Sequence, residues 1–123
     1  MTFAGRSTNT VLLVEDVLET REVLTELLEL HGLRVLAASS VAEALTVARR
    51  AGTIDLLVTD LQLPDGDGSQ IARTLVRQRP EMRSLFLSGD RPPVLGFGQS
   101  FLRKPARIDS IMGEIRGLLR HSA

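Results

Sequence analysis

The sequence predicts an α/β fold, a doubly wound five-stranded parallel sheet covered by helices on both faces. Short continuous apolar runs alternate with amphipathic segments along the whole chain. Several of the apolar runs stop abruptly at an acidic or hydroxyl residue, as buried parallel strands do at a sheet edge. The 123 residues are enough for one domain with a single core. Strand–helix alternation at this spacing favours a parallel sheet between two helical layers.

Five apolar runs are the predicted strands, and each is bounded by polar or turn-forming residues. In chain order they are residues 11–14, 33–37, 54–59, 84–87 and 101–103. The first strand ends at Glu15, the third at Asp60, the fourth at Ser88 and the fifth just before Lys104. The chain therefore has polar side chains at the carboxyl ends of four predicted strands.

Four amphipathic segments predict the helices. The first has apolar residues on one face and glutamates largely on the other, and Gly32 ends it. The second begins at Ser40, where Glu43 has the spacing of a capping box, and Pro80 ends the third. The second, third and last helices are expected at about residues 40–51, 69–79 and 108–120.

The stretch between the fourth and fifth strands is unsuited to a regular helix. Residues 89–100 contain adjacent Pro92 and Pro93 together with three glycines. Proline removes a backbone donor and glycine has a poor helix propensity, so at most a single turn fits near residues 94–97. We therefore expect a shortened or missing fourth helix.

Composition excludes several classes of protein. Acidic and basic residues balance at fifteen each, which does not favour a nucleic-acid-binding or membrane-surface protein. The absence of cysteine excludes a disulfide framework, a thiolate zinc site and a cysteine nucleophile. No apolar stretch is long enough to span a bilayer, and no signal peptide is visible. We expect a cytoplasmic module with a flexible segment at 1–9 and one domain at 10–121.

The polar residues at the strand ends predict a site, because carboxyl ends of parallel strands share one edge of the sheet. Glu15, Asp16, Asp60, Ser88 and Lys104 should meet there. Lys104 is the single lysine among fifteen cationic residues, at a position where a compact ammonium differs from an arginine fork. Three close carboxylates repel each other, so an oxygen-ligated divalent cation such as Mg²⁺ suits the site. A carboxylate there could act as a nucleophile in phosphoryl transfer.

With these residues in place, the chain resembles the response-regulator receiver domains of bacterial two-component signalling across about residues 10–120. The matching pieces are Val14-Glu15-Asp16, Asp60-Leu61-Gln62-Leu63-Pro64 with Gly68, Leu87-Ser88-Gly89 and Phe101-Leu102-Arg103-Lys104-Pro105. The resemblance implies a flavodoxin-like topology. It also implies that a histidine kinase or a histidine phosphotransfer protein donates a phosphoryl group to the chain.

The resemblance assigns roles to particular residues. Asp60 would be the phosphoacceptor, and Mg²⁺, with Mn²⁺ as an alternative, would be held by Glu15, Asp16, Asp60 and the backbone carbonyl of Gln62. Lys104 and Ser88 would contact the phosphoryl group. These roles describe a signalling phosphoacceptor whose own chemistry is limited to slow self-phosphorylation and autodephosphorylation.

Further family features concern switching and lifetime. Ser88 and Phe101 would form the switch, although Phe101 could equally be an ordinary core residue. Gln62 and Asp90 would tune the lifetime of the phosphoryl group, and the peptide bond before Pro105 would be cis. The short segment after Ser88 resembles receivers attached to hybrid sensor kinases. Oligomeric state stays open, with no direct nucleic-acid or membrane contact expected.

Two other interpretations remain. A pseudo-receiver would keep the fold as a protein-interaction module without phosphorylation, although such domains usually lose an acid or the lysine. An aspartate-nucleophile phosphatase would also use Mg²⁺, but it needs a second aspartate where this chain has Gln62. Asp65 and Asp67 lie near the site, and their Asp-Gly context predicts turn residues rather than metal ligands.

Overall fold

The structure is a computed structural model that describes residues 8–90 and 92–120. The flexible segment expected at 1–9 falls mostly outside the described residues, as does residue 121. In chain order the elements are β1 (Thr10–Val14), α1 (Leu18–Leu30), β2 (Arg34–Ala38), α2 (Val41–Arg50), β3 (Leu56–Asp60), β4 (Gln62–Leu63), β5 (Gly66–Asp67), α3 (Gly68–Val76), β6 (Arg83–Ser88), β7 (Gln99–Arg103) and α4 (Ile108–Arg120).

Five parallel strands form the central sheet in the order β2-β1-β3-β6-β7, which confirms the predicted doubly wound class. The strand order reverses between β1 and β3, and functional crevices of such sheets lie at this point. In the β1–β3 register Val14 lies beside Thr59, so the residues that follow, Glu15 and Asp60, are also neighbours. β4 and β5 form a separate antiparallel hairpin immediately after β3.

The sheet separates two apolar cores. All residues of β1, β3 and β6 are buried, which explains why these strands read as continuous apolar runs in the sequence. The core on the α2–α3 side includes Leu12, Leu57, Ile71, Leu75 and Phe86. The core on the α1–α4 side includes Val11, Leu28, Leu56, Leu85 and Ile115. Both faces of the central strands are therefore covered by helices, as predicted.

Between β6 and β7, the described residues 89–90 and 92–98 contain no helix, which confirms the expected loss of the fourth helix. The segment carries Val94, which is 99% exposed, and Phe97, which is 91% exposed. A turn at Phe97-Gly98 leads into β7, where the Arg83 guanidinium lies 4.9 Å from the centroid of the Phe97 ring. A loop anchored to the start of β6 thus replaces a helix.

Helix α3 ends at Val76, three residues before the predicted end near residue 79. Pro80 disfavours helical geometry at the preceding residue, and α3 closes in a turn where the Gln78 and Arg79 N–H groups donate to the Leu75 carbonyl at 3.1 and 2.8 Å. The Arg79 side chain reaches across to α2, where its Nη2 donates to the carbonyls of Ala48, Ala51 and Gly52 at 3.0, 3.3 and 2.9 Å. These bonds satisfy carbonyls at the C-terminal end of α2.

The predicted capping box of α2 forms only in half. Ser40 Oγ accepts from the Glu43 backbone N–H at 3.1 Å. The Glu43 carboxylate accepts from the backbone N–H and the hydroxyl of Ser39 at 2.6 and 2.8 Å, so the reciprocal bond goes one residue upstream. Over the described part of the chain, none of the helices has both the length and the apolar character needed to cross a bilayer.

Candidate functional site

Three acidic side chains meet where β1 and β3 end. Carboxylate oxygens of Glu15, Asp16 and Asp60 all lie within 4.8 Å of one another. Glu15 is 2% exposed and Asp60 is 6% exposed, whereas Asp16 is open to solvent. The sequence-based prediction that these acids share one edge of the sheet is confirmed by their geometry.

Lys104 joins this group from the end of β7. Its Nζ lies 3.0 and 2.9 Å from the two carboxylate oxygens of Asp60 and 3.4 Å from Glu15 Oε1. The Lys104 backbone N–H donates to the Ser88 carbonyl at 2.8 Å, and the peptide bond to Pro105 is cis. Partial burial lowers the pKa of Lys104, but the hydrogen bond and charge of Asp60, aided by Glu15, outweigh burial and leave that pKa raised.

The site brings three carboxylates against the single ammonium of Lys104. Burial and the neighbouring Asp60 charge raise the pKa of Glu15, although the Val17 backbone N–H and Lys104 act in the opposite direction. Carboxylate oxygens with excess negative charge are the ligands that hard divalent cations such as Mg²⁺ prefer. The donor set thus fits a magnesium ion.

The main chain around Asp60 is fixed by close contacts. Thr59 Oγ1 donates to the Asp60 carbonyl at 2.8 Å, and the Leu61 N–H donates to the Leu87 carbonyl at 2.9 Å. The Gly68 N–H donates to the Leu61 carbonyl at 2.8 Å. A Cβ atom on Gly68 would lie 2.1 Å from the Asp60 carbonyl oxygen, so only glycine fits this approach. Gly68 therefore has a packing reason beyond its place in the resemblance.

The predicted Ser88, Asp90 and Gln62 lie together beside the acids. Ser88 is buried, and its Oγ accepts from the Asp90 backbone N–H at 3.0 Å. Gln62 Nε2 donates to Asp90 Oδ2, which brings the two residues expected to tune phosphoryl lifetime into direct contact. Arg103 Nη1 donates to the carbonyls of Gly89 and Asp90, both at 3.1 Å, and holds this turn where a helix is missing.

Phe101 lies in β7 beside Phe86 of β6 and is half-buried. It packs against the core on the α2–α3 side. This position is compatible with both interpretations of Phe101, an ordinary core residue and a movable aromatic.

Asp65 and Asp67 lie outside the acidic group, and both cap helices. Asp67 Oδ1 accepts from the Ser69 N–H at 2.8 Å, and Gln70 Oε1 accepts from the Asp67 N–H at 3.0 Å, which completes a capping box. Asp65 accepts from the backbone N–H groups of Val41 and Ala42 at 2.8 and 2.9 Å. The Asp67–Gln70 spacing in the sequence indicates a capping box. No local sequence pattern indicates the bond between residues 65 and 41, which are far apart in the chain.

Comparisons with known proteins agree with this geometry. The family model described as the response regulator receiver domain matches residues 11–116. KdpE, the KDP operon transcriptional regulatory protein of Escherichia coli, is 37% identical over 120 residues, covering 92% of this chain and 52% of that protein. The sensor kinase CckA of Brucella abortus is 31% identical over 119 residues, covering 89% of this chain and 12% of that protein.

Solved structures show the same relationship. The crystal structure of a receiver domain from the hybrid histidine kinase CckA superposes with a TM-score of 0.80 and 33% identity, covering 90% of this chain and 99% of that domain. The chain spans about half the length of KdpE and a small part of the kinase. The likeness therefore concerns one domain of those longer proteins.

Proposed function

The chain belongs to the response regulator receiver domain family, and from this premise we propose that Asp60 accepts a phosphoryl group from a phosphohistidine. One observation carries the proposal: the buried Asp60 carboxylate lies between Lys104, at 2.9 and 3.0 Å, and two further acids. This arrangement suits a carboxylate nucleophile that must form an acyl phosphate. The donor would be a histidine kinase or a histidine phosphotransfer protein.

The proposed metal site consists of the carboxylates of Glu15, Asp16 and Asp60 and the backbone carbonyl of Gln62. When bound, Mg²⁺ or Mn²⁺ would supply positive charge next to the phosphoryl oxygens. Exposed Asp16 leaves one side of the group open to solvent, while Glu15 and Asp60 are buried.

In the proposed reaction a carboxylate oxygen of Asp60 attacks phosphorus. The bond between phosphorus and the donor imidazole nitrogen breaks, and its electron pair returns to that nitrogen. Lys104, which already contacts both Asp60 oxygens, keeps an ammonium beside the phosphoryl oxygens as they carry charge. The Ser88 hydroxyl can donate to one of them, and its present acceptor role toward Asp90 N–H leaves its own proton available for that bond.

The residues around Asp60 suit two further roles, a conformational switch and control of the lifetime of the phosphoryl group. Movement of Ser88 toward the phosphoryl group would strain its bond from the Asp90 N–H, and Phe101 would follow inward from its half-buried position in β7. Gln62, two residues after Asp60, and Asp90, two residues after Ser88, are in direct contact through their side chains. We infer that both residues set the rate of autodephosphorylation.

The cellular context belongs to the proposal as well. The missing helix between β6 and β7 and the likeness to the kinase-borne receiver favour a receiver that works with a hybrid sensor kinase. The domain would act in the cytoplasm through protein partners and without direct contact to DNA. Its chemistry would be limited to taking up the phosphoryl group and hydrolysing its own acyl phosphate.

The proposal is tested by intact-mass spectrometry after incubation with acetyl phosphate and Mg²⁺. The parent should gain the mass of one phosphoryl group, and Asp60→Asn should gain none. Asp109→Asn removes an exposed acid at the start of α4 and should behave like the parent. Omission of Mg²⁺, with chelator present, should abolish the gain.

Failure of the folded parent to gain a phosphoryl group, together with no binding of beryllofluoride, would overturn the proposal and favour the pseudo-receiver. Rapid multiple turnover of small phosphate esters would instead favour a phosphatase. The Gln62 amide lacks the acidic proton that a phosphatase general acid supplies.

A further inference from the structure

Asp65 connects the hairpin that follows the phosphoacceptor to a helix from the other half of the chain. Its Oδ1 accepts from the Val41 N–H at 2.8 Å and its Oδ2 accepts from the Ala42 N–H at 2.9 Å. The partners are 24 and 23 residues away in sequence, so the contact is tertiary rather than local. Both carboxylate oxygens are used in docking the tip of the hairpin onto the N-terminus of α2.

This contact is strong for an exposed carboxylate. The first N–H groups of a helix have no partner within the helix, and the helix dipole favours negative charge there. The same two hydrogen bonds lower the pKa of Asp65, the bond from Ala42 most. The local N-cap of α2 is independent of Asp65, because Ser40 Oγ accepts from the Glu43 N–H. Asp65 therefore adds an attachment to a helix end that is already capped.

The hairpin held in this way carries Gln62. In its antiparallel pairing Gln62 lies opposite Asp67, and Leu63 lies opposite Gly66. The base is fixed by the Gly68 N–H bond to the Leu61 carbonyl at 2.8 Å. At the tip, a Cβ atom on Gly66 would lie 3.4 Å from Val41 Cγ2, an ordinary van der Waals distance, so the tip of the hairpin lies beside the first residue of α2.

We propose that Asp65 is a positioning residue that sets the main chain at Gln62 by docking the β4–β5 hairpin on α2. The inference rests on the proposed function, in which the Gln62 carbonyl is a ligand of Mg²⁺. Asp65 itself is outside the group of acids that could hold the ion, and both of its oxygens are engaged by N–H donors. It acts through the hairpin and contacts no reacting atom.

The test compares Asp65→Ala with Ser40→Ala. Each variant removes hydrogen bonds from the N-terminus of α2, but only the first releases the hairpin. Mg²⁺ affinity is measured by titration calorimetry and by the shift of the Leu61 and Gln62 amide signals. Asp65→Ala should bind Mg²⁺ about tenfold more weakly, the effect typical of losing a residue that orients a metal ligand. Ser40→Ala should bind like the parent despite its loss of thermal stability.

A second measurement does not depend on the metal. In chelator, amide hydrogen exchange at Gln62 and Leu63 should be faster in Asp65→Ala than in the parent and unchanged in Ser40→Ala. If Asp65→Ala does not fold, Asp65→Asn keeps the shape and one acceptor oxygen. That variant should show a smaller loss of Mg²⁺ affinity in the same direction.

Parent-like Mg²⁺ affinity in a folded Asp65 variant would overturn the inference. Equal weakening in Asp65→Ala and Ser40→Ala would also overturn it, because a general loss of stability would then account for both. A parent chain that binds no Mg²⁺ would instead overturn the proposed function on which the inference rests. Unchanged exchange at Gln62 after loss of Asp65 would show that the hairpin does not need this attachment.

Discussion

The substitution Gly68→Ala adds one methyl group where the main chain of Asp60 passes closest to α3. The added Cβ would lie 2.1 Å from the Asp60 carbonyl oxygen, 2.8 Å from Thr59 Oγ1 and 3.0 Å from Thr59 Cγ2. Thr59 is fully buried, so neither partner can swing into solvent. The main chain of β3 or the start of α3 must move.

Gly68 is the first residue of α3, so the advantage of alanine over glycine in a helix interior does not apply there. Overpacking a core costs about 1–3 kcal/mol, and a contact with backbone that cannot yield belongs at the upper end. We therefore expect Gly68→Ala to lower the free energy of unfolding by about 3 kcal/mol. Displacement of the Asp60 carbonyl should also slow phosphorylation.

The assay is urea denaturation followed by far-ultraviolet circular dichroism, since the chain has no tryptophan or tyrosine for fluorescence. Gly113→Ala is the matched control, because Gly113 lies in α4 and a Cβ there would meet no atom within 4 Å. The control should be more stable than the parent by about 0.5–1 kcal/mol. Equal stability of the two variants would refute the steric argument at Gly68.

Three further predictions concern charge and capping. Because burial raises the pKa of Glu15, stability from this group is present below its ordinary value of 4.5 and is lost as pH rises. With chelator present at pH 7, Glu15→Gln should thus have a higher urea midpoint of unfolding than the parent, and the difference should shrink as the pH falls toward 4.5. A lower midpoint for the variant at pH 7 would contradict this prediction. Lys104→Met leaves Asp60 and Glu15 without their cation and should lower the free energy of unfolding by about 2 kcal/mol at pH 7, less than for a fully buried pair. Added Mg²⁺, with no chelator present, should restore part of this stability. An unchanged free energy of unfolding would count against the ion pair. Arg79→Ala removes the donor to three carbonyls at the end of α2 and should cost about 1–2 kcal/mol. Phosphorylation by acetyl phosphate should remain at the parent rate in this variant, and a slowed rate would show that the far end of α2 matters to the site.

The sheet could be predicted from the sequence because each strand is marked by its own local run of apolar residues. Continuous apolar runs identify strands buried on both faces, and the parallel connections then place their carboxyl ends at one edge. Glu15, Asp60 and Lys104 could be placed together on this ground alone. The prolines at 92 and 93 and the neighbouring glycines likewise predicted the missing helix directly.

The features that escaped prediction depend on contacts between distant segments. The bonds from the Arg79 side chain to the carbonyls of Ala48 and Gly52 cross 31 and 27 positions, and the local pattern up to Pro80 could not reveal them. Asp65 looked like a turn residue, which it is, but its bonds to α2 cross 24 positions. The Gln62–Asp90 contact joins β4 to the segment that follows β6, and only the folded sheet brings these two parts of the chain together. Contacts of this kind leave no periodic signal in the sequence.

Lys104 carries the only side-chain amine in the 123 residues, since the other fourteen cationic side chains are guanidinium groups. Acylating reagents attack the neutral amine, and ion pairing with Asp60 keeps this one protonated by raising its pKa. The labelling rate of the peptide that contains Lys104, followed by mass, therefore reports on the ion pair of one residue without any engineered probe. Loss of the Asp60 charge should make the Lys104 amine react faster. A ligand that places negative charge against Lys104 should slow its acylation again.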